Sequence, residues 1–255
     1  MAELIRVKNS GYDEYEELLL QRDKLKKEAA ALRLEYMAVF GDLITAIFEE
    51  KIGCIRKKKM LAFCQAAANK GETVNPEALR AYLAREMQAY NKQLHKMIEE
   101  NEAAHSLTFV SEGATAQIKK LYYKLAKQIH PDINPKTSEI PQLQLLWQMI
   151  VTAYNTNNLE DLMEAEVLVN KVLADNGISA MEVEIPDLEE KIQKVKNQIL
   201  EIKSNNPYQY KFLLQDDDAI EQKKAELEKE LADYRAYSDA LEQLLNVLKG
   251  EEELQ

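Results

Sequence analysis

Apolar residues recur along much of this chain at alternating spacings of four and three. Leu25, Ala29, Leu32, Tyr36, Val39 and Leu43 form one such series, which continues with a shifted phase through Ile47, Ile52 and Ile55. That period is a heptad seam and predicts one long helix with a single apolar stripe. Asn69-Lys70-Gly71 stops it, with glycine placed for the left-handed turn that closes many helices. Asn75 and Pro76 then suit an N-cap and a first helical residue. Leu79, Leu83, Tyr90, Leu94 and Ile98 give the next helix one apolar face. A short loop between two helices predicts a hairpin over residues 1–108.

The far end of the chain, residues 177–255, repeats the theme. Leu188, Ile192, Val195, Ile199 and Ile202 form a seam, and Ile220, Leu227, Leu231, Tyr234, Leu241, Leu245 and Leu248 resume it after SNNPYQY. Lys224 and Ser238 stand at seam positions, where polar residues can fix register. The simplest expectation is an antiparallel hairpin whose two seams bury each other. Tyr208, Tyr210, Phe212, Leu213 and Leu214 at its tip are expected to fold back as a cluster. Residues 109–176 between the two hairpins have shorter elements. Ile118, Leu121, Tyr122, Leu125 and Ile129 share one helix face, and Leu143, Leu146, Trp147, Ile150 and Tyr154 share another. The expected fold is all-α: a short helical hairpin flanked by two long ones.

Composition supports helices, with only 7 Gly and 6 Pro among 255 residues and 30% charged side chains. A net charge of -11 argues against nucleic acid as the main partner, because phosphate binding is driven by Lys and Arg. The run Arg56-Lys57-Lys58-Lys59 is read as a solvated helix face. Cys54 and Cys64 form no metal-binding or disulfide pattern, and His95 and His105 have no partner ligands nearby, so neither a metal nor a cofactor is expected. No secretory leader and no apolar run of about 20 residues is visible. These features predict a cytoplasmic protein with no membrane span.

The stretch KLAKQIHPDINP, residues 124–135, carries the most specific chemistry. Pro131 disfavours helical geometry at His130, so the helix must end there. His130 and Asp132 are then expected at an exposed corner, beside Lys119, Lys120, Lys124 and Lys127, which lie off the apolar face. A donor and an acceptor in a short stiff loop lose little entropy on binding, and a basic face attracts an acidic partner surface. No nucleophile or oxyanion site surrounds His130, so docking is expected rather than catalysis.

Residues 112–155 resemble the J-domain of DnaJ-type co-chaperones. Ile118, Lys119, Lys120, Tyr122, Lys124, Leu125 and Ala126 match the second helix of that family, and His130, Pro131 and Asp132 match its signature tripeptide. Trp147, Ile150, Ala153 and Tyr154 match its third helix, with Trp in place of Phe. The resemblance implies docking on a DnaK-class heat-shock ATPase of seventy kilodaltons and stimulation of its ATP hydrolysis. It also implies that the J-protein itself binds no nucleotide. His130, Pro131 and Asp132 would be contact residues and the four lysines a docking surface; the helical arms, outside the resemblance, are expected to select a client or a location. The chain departs from the family in lacking a Tyr-x-x-Leu-Gly-Val first helix, in Tyr123 and Ile133 where basic residues are common, and in lacking a Gly/Phe-rich linker and a zinc module. The first helix is therefore missing, remodelled or supplied by residues 76–105. The rival expectation is a structural adaptor with a degenerate J-like domain and no chaperone activity.

Overall fold

The computed structural model describes residues 6–7, 11–105, 112–178, 182–183 and 187–252. These residues form an all-α fold, with one short parallel pair of strands, β1 (Arg6–Val7) and β2 (Glu182–Val183). The helices are α1 (Tyr12–Ala68), α2 (Pro76–His105), α3 (Glu112–Ile129), α4 (Lys136–Glu139), α5 (Pro141–Asn155), α6 (Leu159–Asp175), α7 (Leu188–Ser204), α8 (Tyr210–Leu214) and α9 (Asp217–Glu252). No helix among the described residues is long and apolar enough to cross a membrane.

The chain divides into two compact units, and each takes in separated stretches of sequence. One contains Met1–Ala30 and Thr108–Tyr208, the other Ala31–Leu107 and Gln209–Gln255. These units cut across the three consecutive parts into which the sequence divides by pattern. α1 supplies its first turns, up to residue 30, to the first unit and the rest to the second.

In the first unit, the apolar faces of α3 and α5 meet as their spacing predicts. Ile118, Tyr122, Leu125, Ala126 and Ile129 share a buried cluster with Leu143, Leu146, Ile150, Ala153 and Tyr154. Tyr122 stacks on Tyr154 with ring centroids 3.9 Å apart. α6 closes this core with Leu162, Ala165 and Val169, and α1 adds Leu20. Residues 76–105 do not supply the covering helix; they belong to the other unit. Asn158 starts α6 by accepting the Asp161 amide at 3.2 Å, with Glu160 and Asp161 complementing the helix dipole.

A second cluster in this unit joins Tyr15, Leu19 and Leu25 of α1 to Leu188, Val195 and Ile199 of α7, with Ile133 between them. The seam of α7 was expected against the seam of α9. The buried residues of the α7 seam instead cluster with the first turns of α1, and Leu227 and Leu231 of the α9 seam cluster with Phe40 and Ile47 of α1. The physical reason lies upstream of Leu25. Tyr15 and Leu19 extend the α1 stripe toward its N-terminus and give α7 an apolar surface to cover.

In the second unit, α1 and α2 form the predicted antiparallel hairpin. Gly71 takes a left-handed φ of 70° after α1, and Asn75 caps α2 by accepting the amides of Glu77 and Ala78 at 2.9 and 3.2 Å. Lys59 pairs with Glu86 at 2.9 Å and Arg33 with Glu100 at 2.6 Å. Gly41 permits a close approach, since a Cβ there would lie 2.0 Å from Asn101 Oδ1. α9 runs parallel to α1, burying Leu227 and Leu231 against Phe40 and Ile47. Lys57 donates to Ser238 Oγ at 3.0 Å and pairs with Glu242 at 3.0 Å, and Lys58 lies over the Tyr237 ring. Three residues of the basic run thus contact neighbouring helices, Lys57 and Lys59 from half-buried positions, while Lys58, like Arg56, remains exposed as a solvated face would be. Ser238 interrupts its seam because it receives a lysine. Of the tip residues in this unit, Tyr210 stacks on Tyr36 at 4.0 Å and Leu213 and Leu214 pack on the α1–α9 cluster, whereas Phe212 is exposed.

Candidate docking site around the His-Pro-Asp loop

α3 ends at Ile129, and the loop after it is tied down by its own backbone. The carbonyl of His130 accepts the amides of Ile133 and Asn134 at 2.9 and 2.7 Å. Asn134, itself buried, donates to the Gln128 carbonyl at 3.0 Å and accepts the Lys136 amide at 3.1 Å. Ile133 is buried in the α1–α7 cluster, which explains an apolar residue after the tripeptide. The loop is thereby fixed from both of its faces.

His130 is not at an exposed corner. It is only 4% exposed, with its ring edge-on to Trp147 at 4.7 Å. The cause is α1, which packs Arg22 and Asp23 over it. The Asp132 amide donates to His130 Nδ1 at 3.0 Å, so the ring proton sits on Nε2. Nε2 lies 3.6 Å from Asp23 Oδ2 and 3.4 Å from Arg22 Nη2. With its proton there, Nε2 points an N–H dipole at the carboxylate, at a distance beyond an ordinary hydrogen bond, and the guanidinium is a packing neighbour.

Asp23 is the hub of a small polar network. Arg22 donates to its Oδ1 through Nε at 3.0 Å and Nη2 at 2.9 Å, and Tyr122 donates its hydroxyl to Oδ2 at 2.8 Å. Burial alone pushes the Asp23 carboxyl up, but the His130 ring, the Arg22 charge and the Tyr122 hydroxyl outweigh it and hold it below its ordinary value. Burial and then the Asp23 charge push the Tyr122 hydroxyl far above its ordinary value. Arg22, 9% exposed, reaches on through Nη1 to Asp132 Oδ2 at 3.5 Å and Gln198 Oε1 at 3.4 Å. Nearby, Lys27 donates to the Tyr154 carbonyl at 2.6 Å and lies over its ring, and burial lowers its amine to about 8.

The remaining predicted residues divide into two groups. Asp132 keeps 47% of its side chain exposed, and Pro131 is half-buried beside it. Lys119 and Lys120 are exposed, the former over the Tyr123 ring. Lys124 and Lys127 are instead ion-paired within the unit, to Glu166 of α6 and Glu16 of α1. The spacing of apolar residues on α3 does not disclose Arg22, Asp23, Glu16, Glu166 or Gln198. One signal was available for Arg22: it stands three after Leu19 and seven after Tyr15, a charge on an apolar stripe. Among the described residues no group of three or more His, Cys, Asp or Glu is placed to hold a metal ion. Compared with protein-family models, with curated proteins and with solved structures, the chain finds no match.

Proposed function

We propose that the first unit is a J-domain-like docking module that engages a DnaK-class heat-shock ATPase in the cytoplasm and stimulates its ATP hydrolysis. The helices of the second unit would select a client polypeptide or location. The chain supplies no catalytic group, metal or cofactor in this reading. The observation that supports it best is the packing of α3 and α5 around a rigid His-Pro-Asp loop. Tyr122 stacks on Tyr154 and His130 abuts Trp147, while the Asp132 carboxylate stays half-exposed in the loop and Lys119 and Lys120 are exposed farther back along α3. A preorganised acceptor in the loop and exposed cations along the helix before it suit recognition of an extended surface of mixed charge. Single-turnover ATP hydrolysis by purified DnaK-class chaperones, with and without the protein, tests the proposal. Acceleration is expected, and none across several such chaperones would remove it.

A second reading has its own support. His130 is buried and Lys124 and Lys127 are spent on internal carboxylates, which favours a tripeptide that only holds α1 onto the α3–α5 pair. The protein would then be a helical adaptor, and the same assay would show no acceleration.

A further inference from the structure

We propose that the docking surface is latched from within: Arg22, Glu16 and Glu166 compete with the partner for Asp132, Lys127 and Lys124. The inference rests on the co-chaperone reading and adds its regulation. The complementary charges come from two helices that pack with α3. Glu16 and Arg22 lie on α1, where Tyr15 and Leu19 anchor that helix in the core. Glu166 lies on α6, anchored by Leu162, Ala165 and Val169. Each latch contact therefore has a fixed side and an accessible side. Asp132, Lys127 and Lys124 keep 47%, 40% and 58% of their side chains exposed, against 11%, 13% and 26% for their partners.

That asymmetry lets a partner displace the latch without unfolding anything. A lysine can swing from Glu16 or Glu166 to a carboxylate on an incoming acidic surface, and Asp132 can exchange Arg22 for an external cation. Partly exposed ion pairs are weak enough for such exchange. Each exchange nevertheless raises the concentration of partner needed, because the internal pair must be broken first. The backbone and apolar contacts of α1 and α6 stay in place throughout, so the latch acts on side chains alone. Arg22 also neutralises the buried Asp23, so the two carboxylates are the parts of the latch that can be removed cleanly.

The test is the ATPase titration with full-length wild type and the double variant Glu16→Gln/Glu166→Gln, each checked for an unchanged thermal transition. The amides keep the side-chain shape but release the lysines. The variant should reach half-maximal stimulation at a roughly threefold to tenfold lower concentration, the scale set by two partly exposed ion pairs. Glu16 is the more buried of the two, so Glu166→Gln alone decides the matter if the double variant is unstable, with about half the effect on a logarithmic scale. Superimposable curves, or a higher half-maximal concentration, would overturn the latch while leaving the co-chaperone reading intact. No stimulation by either protein would overturn both.

Discussion

Arg22 and Asp132 stand 110 positions apart in the chain, yet Arg22 Nη1 lies 3.5 Å from Asp132 Oδ2. The contact marks where α1 meets the loop after α3. It is long for a charged hydrogen bond and open to solvent on the Asp132 side, so little stability rests on it. The same guanidinium holds Asp23 closely from an almost buried position. The two carboxylates on Arg22 thus have different duties: Asp23 belongs to the fold, and Asp132 remains accessible.

Asp23→Asn tests the first duty. The amide keeps the volume but leaves the buried Arg22 with only the long contact to Asp132 as a charge partner and gives Tyr122 a weaker acceptor. Removing one member of a buried pair is costly, and a loss of about 2–4 kcal/mol in urea unfolding is expected. A loss below about 0.5 kcal/mol would show that the network is peripheral to stability.

Acid should erase that difference. The Asp23 carboxyl sits below its ordinary value of 3.8 in the folded protein, so between the two values the unfolded chain binds more protons. Its contribution is full above 3.8 and is lost as pH falls through the lower folded value. The stability gap between wild type and Asp23→Asn should therefore be constant from pH 7 to 5 and narrow below about 4. A gap that widens in acid would reverse the assigned direction.

His130→Gln should weaken the fold as well as any docking. It removes the Nδ1 acceptor of the Asp132 amide and the ring packed on Trp147. A destabilisation of about 1–3 kcal/mol is expected by thermal or urea unfolding. Unchanged stability would mean that the buried ring is held loosely.

Truncation after Gly177 should unfold or severely weaken the first unit. The cut removes Leu188, Val195 and Ile199, which cover Tyr15, Leu19 and Ile133. At about 1.5–3 kcal/mol for each buried aliphatic side chain, the loss is about 5–9 kcal/mol, comparable to the whole stability of many domains. A fragment of residues 1–177 with an unchanged cooperative transition in circular dichroism would contradict this assignment of the core.

The helices and their caps were legible in the sequence because they rest on local rules. The spacing of Ile118, Tyr122 and Leu125, the stop at Pro131 and the cap at Asn75 each involve neighbours within a turn or two. What was not legible is pairing between distant elements. Several apolar stripes of similar width compete for one another, and period alone does not say that the α7 stripe covers Tyr15 and Leu19. The site shows the same division. Lys119, Lys120 and Asp132 could be placed on their surface from spacing within α3 and its loop. The burial of His130 and the pairing of Lys124 and Lys127 depend on Glu16, Arg22, Asp23 and Glu166, which come from other helices. An arginine on the stripe begun by Tyr15 and Leu19 was the one local hint of a buried polar network.

Asp132→Asn is the most direct measurement of the central claim that the accessible end of the tripeptide docks on a heat-shock ATPase. The change is isosteric, keeps the backbone amide that binds His130, and loses only a long, half-exposed ion pair, so stability should fall by less than about 1 kcal/mol. In single-turnover hydrolysis by a DnaK-class chaperone that wild type accelerates, the folded variant should lose stimulation by at least tenfold, the scale of a charge-assisted contact worth about 1.5–3 kcal/mol. Equal stimulation by wild type and Asp132→Asn would contradict the account.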